Sequence, residues 1–244
     1  MKHFPLLEKF CTENNIKYSS EEDEKFALFY DFLIEKNKVM NLTAITDHNA
    51  AEIRHFIDSV EAFDIISQYF SEKPAKSDKK IIDIGTGAGF PGMPLAILLP
   101  EIHFILADSL DKRISFINEF INMAGIGNIS AVHGRAEDLG HGIYRENNDI
   151  CTSRAVAAMP VLLEYSLPLV KVGGKVIMYK SGNFEEELAQ AENALSLLGG
   201  KVSDIKSFIL PGTDIKRSII VAEKIRSTPE KYPRRAGKPA KSPL

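Results

Sequence analysis

Asp83-Ile84-Gly85-Thr86-Gly87-Ala88-Gly89-Phe90-Pro91-Gly92 follows the apolar pair Ile81-Ile82 and runs into Met93-Pro94-Leu95-Ala96-Ile97-Leu98-Leu99. This reads as the end of a strand, a glycine-rich turn and the start of a helix. Glycine has no Cβ, so such a turn can take positive φ and let a bound molecule lie directly on the backbone. Pro94 suits the first turn of a helix, where its missing N–H costs little. A turn of this kind after the first parallel strand is where doubly wound sheets hold nucleotide-like cofactors.

Working outward, residues from about 79 onward alternate between strand and helix patterns. Strands are expected at Lys80–Ile84, His103–Ala107, Ile129–His133, Asp149–Ser153 and Lys175–Tyr179, with helices near Pro94–Leu99, Lys112–Ala124 and Met159–Val170. Gly125 stands where a helix C-cap glycine belongs. The alternation argues for an α/β fold, a mainly parallel sheet covered on both faces. After a helix at Glu185–Leu198, Lys201–Phe208 and Ser218–Glu223 are expected to close the sheet as an antiparallel pair.

Residues 1–78 read as an N-terminal helical region. Phe26, Phe29, Tyr30, Leu33 and Ile34 recur at helical spacing, and Ser19 with Glu22 and Asn49 with Glu52 look like capping boxes. Residues 79–226 form the α/β domain, entered through a polar linker at 71–78. Residues 227–244 form a tail with four prolines and the cations Lys231, Arg234, Arg235, Lys238 and Lys241. The tail is expected to be extended or disordered until it meets a partner.

With 44% hydrophobic residues, 244 residues suffice for one large core. A net charge of −3 excludes a general polycation, so any basic surface is local. Cys11 and Cys151 belong to no CxxC pair, which argues against a disulfide framework or zinc-thiolate site and favours a reducing cytoplasm. No apolar run is long enough to span a bilayer. The sequence has no Walker loop, no H-E-x-x-H and no G-x-S-x-G, so no metal is expected.

Two glycine registers overlap in the turn. Gly87, Gly89 and Gly92 fit the dinucleotide fingerprint G-x-G-x-x-G. Asp83, Gly85, Gly87 and Gly89 fit D-x-G-x-G-x-G, which resembles the first motif of S-adenosylmethionine-dependent methyltransferases. Asp108 ends the next strand, where a carboxylate can accept both hydrogen bonds of a ribose diol; it can equally cap the following helix. Ala136-Glu137-Asp138 follows the third strand, and Gly173-Gly174 precedes the fifth. In methyltransferases an acidic residue at the first of these places contacts adenine; the plainer reading of Glu137 is a solvated loop acid.

Together the motifs resemble the glucose-inhibited division protein B family (RsmG-type), bacterial methyltransferases of small-subunit (16S) ribosomal RNA. The likeness runs through Asn37-Lys38-Val39-Met40-Asn41-Leu42-Thr43, Arg54-His55-Phe56-Ile57-Asp58-Ser59, Asp83 to Leu95 and Asp108-Ser109-Leu110-Asp111-Lys112-Arg113. It continues through Ser153-Arg154-Ala155 and Tyr179-Lys180 to Tyr232-Pro233-Arg234-Arg235-Ala236-Gly237-Lys238-Pro239. One departure is Ser181-Gly182, where glycine is expected directly after Lys180.

The resemblance implies a class I, Rossmann-like sheet of seven strands and transfer of a methyl group from S-adenosylmethionine to guanine N7. Cofactor contacts carried over by motif are Gly85, Phe90, Ala136, Glu137 and Arg154, with Gly87 in the same bend. Asp108 would hold the ribose, and Asp83 would order the turn. Arg154 is also the candidate catalytic residue, touching guanine O6, phosphate or cofactor; its plainer reading is an ion pair with Glu137. Lys112, Arg113, Arg135 and Lys180, with Arg54 and the tail, are expected to meet RNA. Arg54-His55 with Asp58 also reads as a simple helix-face pair at i, i+4. The expected partner is the ribosomal RNA or the small subunit itself, met by a cytoplasmic monomer. Alternatives are a nicotinamide oxidoreductase using Gly87, Gly89 and Gly92, or a nonenzymatic ribosome-binding factor.

Overall fold

The computed structural model describes residues 2–74 and 78–244, so part of the expected 71–78 linker lies outside the described residues. Five helical pieces come first: α1 (Pro5–Glu13), α2 (Ser20–Met40), α3 (His48–Ala51), then α4 (Asp58–Val60) and α5 (Phe63–Ser71). A π-helical turn, Glu52–Ile57, joins α3 to α4. Then follow β1 (Lys80–Ile84), α6 (Gly92–Leu98), β2 (His103–Asp108), α7 (Asp111–Ala124), β3 (Ile129–His133), α8 (Ala136–Leu139) and β4 (Asn148–Arg154). The chain closes with α9 (Met159–Ser166), β5 (Val170–Ser181), α10 (Glu185–Gln190), α11 (Glu192–Leu198), β6 (Gly200–Ile209), β7 (Lys216–Lys224) and α12 (Lys238–Lys241).

The seven strands lie in the order β3-β2-β1-β4-β5-β7-β6. All neighbours run parallel except β7, which is antiparallel to both β5 and β6. Chain order reverses between β1 and β4, so the crevice at a topological switch point opens at their C-terminal ends. Because β7 runs the other way, its first residues join that same edge, with Arg217 opposite Ser181.

Side chains alternate across the strands with period two. Ile81, Phe104, Leu106, Ile150, Ile177 and Val221 share a core with the N-terminal helices, α6 and α7. Ile82, Ile105, Cys151, Val176, Met178 and Ala222 share the opposite core with α9 and α11. Phe29 links the N-terminal helices to the α/β part, with ring centroids 5.4 Å from Phe90 and 4.9 Å from Phe120. Burying each such ring is worth about 1.5–3 kcal/mol.

Ser19 and Glu22 form the capping box that starts α2, and Gly125 ends α7 at φ +63°. The second box does not form. Asp47 caps α3 by accepting the Ala50 N–H, and buried Glu52 instead accepts the N–H groups of Leu6 and Leu7 at 2.7 and 2.9 Å. That carboxylate lies at the positive end of α1, where anions are favoured. The helix expected at Met159–Val170 stops at Ser166, and β5 begins at Val170, five residues earlier than the sequence pattern suggested. The helix expected at Glu185–Leu198 is broken at Ala191.

The tail departs most from expectation. It is neither detached nor wholly extended: Tyr232 and Pro233 are buried, and Lys238–Lys241 is helical. Its composition suggested disorder because no apolar pattern supports it. Burial of one tyrosine and neutralisation of one buried acid by Arg234 order it instead. No helix among the described residues is long and apolar enough to cross a membrane.

Candidate active site

The turn after β1 is built around Asp83, which is fully buried. Its carboxylate accepts Thr86 Oγ1 at 2.6 Å, Thr152 Oγ1 at 2.9 Å and the Gly92 N–H at 3.1 Å. Burial pushes its pKa up to about 6, opposed by these hydrogen bonds and by the charge of Arg154. Asp83 therefore ties the turn to α6 and β4. Gly92 packs against that carboxylate: an added Cβ would collide with Leu106 Cδ2 and lie 3.0 Å from Asp83 Oδ2. Gly85 takes φ +64°, and an added Cβ would collide with Val156 Cγ2.

Asp108, at the end of β2, is 2% exposed. Its Oδ2 accepts the Gly87 N–H at 2.9 Å, its Oδ1 accepts the Leu110 N–H at 2.9 Å, and Arg113 Nη1 donates to both oxygens at 3.1 and 3.4 Å. Leu110, not Asp108, is the N-cap of α7. Asp108 holds the glycine turn in place, and Arg113 is committed to it.

A cavity of about 300 Å³ opens beside this turn. Gly85, Ala107, Ser109, Ala136, Glu137 and Val156 line it, so its floor is backbone and small side chains. Glu137 is buried rather than solvated, and its Oε1 accepts the Gly237 N–H at 3.0 Å. Burial and the adjacent Glu137 push the Tyr165 hydroxyl up to about 12. A bare, concave backbone wall with one acid, Glu137, at its rim fits a nucleoside.

A second cavity, about 690 Å³, lies at the ends of β4, β5 and β7. Arg54, His55, Asp58, Arg154, Lys180 and Arg217 supply its polar wall. Val156 lines both cavities, so the two share a boundary. Arg154 pairs with Asp58 (Nη1 to Oδ2, 3.0 Å), not with Glu137, and donates to the Arg54 carbonyl at 3.4 Å. Arg217 Nε donates to the other Asp58 oxygen at 3.3 Å. The expected Arg54–Asp58 helix pair is absent because the π-turn widens the helix between them, leaving Arg54 exposed and Asp58 buried.

Phe90 lines neither cavity. Its ring is 7% exposed, stacks on His55 at 4.5 Å and lies 5.1 Å from the Arg154 guanidinium. The side chain is spent on packing beneath the site. Burial, then the charges of Arg154 and Arg54, hold His55 down to about 3, so its ring is neutral.

The expected RNA-facing cations separate into two groups. Arg54, Lys112 and Arg135 are exposed. Lys180 is drawn inward, with Nζ bonded to Glu187 at 2.6 Å and to the Ala157 carbonyl at 2.9 Å, and Arg113 is held by Asp108. Arg217 and Tyr165 arrive from segments without a motif, and Val156 stands just past Ser153-Arg154-Ala155, so no local signal marked these three. After Lys180, Ser181 lines the large cavity and Gly182 sits where a Cβ would press on the Lys216 side chain.

The family model described as rRNA small subunit methyltransferase G matches residues 22–219. Ribosomal RNA small subunit methyltransferase G of Acetivibrio thermocellus is 49% identical over 240 residues, covering 98% of this chain and 96% of that protein. The protein of the same name from Lactobacillus johnsonii is 47% identical over 233 residues, covering 93% and 95%. Among solved structures, M. jannaschii TYW2 in complex with AdoMet superposes with a TM-score of 0.50 at 12% identity, covering 67% of this chain and 76% of that one. The seven-stranded fold is that of the class I methyltransferases.

Proposed function

The chain belongs to the rRNA small subunit methyltransferase G family, and from that premise we propose that it uses S-adenosylmethionine to methylate N7 of a guanosine in small-subunit (16S) ribosomal RNA. The observation that carries this reading is the pair of cavities sharing Val156. The smaller suits the nucleoside end of the cofactor, and the larger, rimmed by arginines, suits an unstacked base with its phosphates.

Bound there, S-adenosylmethionine supplies an electrophilic methyl on a sulfonium sulfur. Guanine N7 offers an in-plane lone pair and no proton, so in-line displacement needs no general base. The site's residues agree with that demand. Asp58 is held by two arginines, Glu187 by Lys180, and His55 by burial in its neutral form. Among the described residues, no carboxylate on the large cavity's wall is left unpaired to take a proton. Rate enhancement then comes from alignment and water exclusion.

The residues divide the work. Asp83 and Asp108 fix the turn, Asp108 through the Gly87 N–H; Gly85, Ala136 and Glu137 border the cofactor. Arg154 borders the base, where its guanidinium meets O6 or phosphate and leaves N7 open, since donation to N7 would block the nucleophile. Arg54, Lys112 and Arg135 meet RNA phosphates, which gives salt-dependent affinity with little sequence reading. A loop guanosine reaches the cavity without the full cost of opening a duplex.

The test has two arms. Calorimetry with S-adenosylhomocysteine and with NAD should show uptake of the first alone. Mass spectrometry of ribosomal RNA from cells lacking the protein should show one 7-methylguanosine missing; an unchanged modification pattern would end the substrate assignment. Purified chain offered deproteinised RNA or intact small subunits identifies which is methylated.

A further inference from the structure

We propose that the C-terminal segment from Tyr232 to Lys241 is a wall of the cofactor pocket, closing it at the end next to Glu137. The inference rests on the assignment of the small cavity to the cofactor.

The segment is anchored along its length. Arg145 donates through Nη1 to the carbonyls of Tyr232 and Gly140, each at 2.8 Å, and through Nη2 to that of Thr228 at 2.7 Å. His141 Nε2 is 2.7 Å from the Pro233 carbonyl. A Cβ at Gly140 would stand 2.8 Å from the Pro233 ring, so the two segments touch backbone to ring. Arg234 then clamps Glu164, which is fully buried, with Nε 2.8 Å from Oε1, Nη2 2.5 Å from Oε2 and the backbone N–H 2.7 Å from Oε1. A bidentate fork on a buried carboxylate differs from a surface ion pair, because releasing it strands an uncompensated charge.

Beyond this clamp the chain turns over the cavity. Gly237 adopts φ +80° and donates its N–H to Glu137, so the acid at the cavity rim also holds the segment. Gly237 and Ala240 face the cavity, whereas Arg235, Lys238 and Lys241 are exposed. Only the smallest side chains are turned inward, and about 300 Å³ remains open with the segment in place. The segment therefore encloses the space without filling it. That distinguishes a wall from a plug.

The experiment is calorimetric titration of S-adenosylhomocysteine into the full chain, Ala240→Phe, Ala240→Ser and Arg234→Ala, with thermal unfolding of each unliganded protein. Ala240→Phe points a large ring into the cavity from an exposed position, so it should weaken binding about tenfold or more without lowering the unfolding temperature. Ala240→Ser should bind as wild type does. Arg234→Ala should unfold at a lower temperature and, where folded, bind more weakly. Wild-type affinity in Ala240→Phe would overturn the proposal, because a segment that swings clear is no wall. Tighter binding in either Ala240→Phe or Arg234→Ala would make it a plug and overturn it equally. Absence of binding to the wild-type chain would instead remove the cofactor assignment beneath it, and the proposal with it.

Discussion

Asp58 and Arg154 meet at 3.0 Å across the seam between the N-terminal helices and the end of β4. The contact joins a region that carries no cofactor motif to an arginine on the wall of the large cavity. Asp58 also holds Arg217 at 3.3 Å, so one buried acid places two cations on the wall of the large cavity. Arg154→Lys keeps the charge but loses the planar guanidinium that lies 5.1 Å from the Phe90 ring and whose Nη1 alone reaches both Asp58 and the Arg54 carbonyl. Methylation should fall about tenfold or more, while S-adenosylhomocysteine affinity stays close to wild type. Wild-type methylation by this variant would remove Arg154 from the site.

Asp58→Ala leaves both arginines without their acid. Full burial would make this loss large, but Arg154 and Arg217 keep 15% and 26% side-chain exposure, so water recovers part of it. Urea unfolding should show a loss of about 1–3 kcal/mol. Arg217→Ala should cost less, since Asp58 retains Arg154.

Gly85 and Gly87 both sit at positive φ, where an alanine costs about 1–2 kcal/mol of backbone strain. They differ in surroundings. A Cβ on Gly85 collides with Val156, the residue between the two cavities, whereas one on Gly87 meets only a carbonyl oxygen 4.0 Å away. Gly85→Ala should therefore lose more S-adenosylhomocysteine affinity than Gly87→Ala at similar unfolding temperature. Equal losses would show that strain, not the shape of the cavity, sets the effect.

Legibility from sequence followed how local each signal was. The β1 turn, Asp108 and the C-cap at Gly125 are fixed by residues within a few positions, and glycine or an acid at such places has few alternative uses. The alternation of patterns gave the mainly parallel sheet and its antiparallel close, whereas the order of the strands is set by contacts between distant segments. Arg154 could be placed at the end of β4, but its partner could not: Asp58 lies far away in sequence and reaches it only because the π-turn rotates it inward. The plainer reading of Glu137, a solvated loop acid, fails because nothing local announces that Gly237 folds back onto it. The tail was misread for the same reason, its order depending on a buried acid in α9.

Two neighbours on α7 should behave differently toward RNA. Lys112 is exposed, with Nζ only 3.3 Å from the Met40 carbonyl, whereas Arg113 is held by Asp108. Lys112→Gln should reduce the slope of log affinity against log salt by about 1, the loss of one phosphate contact. Arg113→Gln should leave that slope unchanged and weaken S-adenosylhomocysteine binding, because Asp108 loses the cation that orients it. The reverse pattern in filter-binding and calorimetric titrations would exchange their roles.

His55 gives the fold an acid limit of defined sign. Its pKa is held down to about 3 in the folded chain, chiefly by burial, against the usual 6.5 when unfolded. Between those values the unfolded chain binds the proton and the folded one does not. The stability is therefore complete above pH 6.5 and drains away as pH falls toward 3, at most about 1.4 kcal/mol per pH unit. Asp83 works oppositely: its pKa is raised to about 6, so its ionisation costs the fold as pH rises from the ordinary carboxylate range to that value. A His55→Gln variant removes only the first contribution. It should be less stable than wild type at pH 7.5, where the ring's stacking on Phe90 is lost, and the gap should narrow as pH falls to 4.5. Urea midpoints measured across that range test this. Parallel curves would mean that the imidazole protonates freely in the folded protein, and that the ring does not sit closed against Phe90.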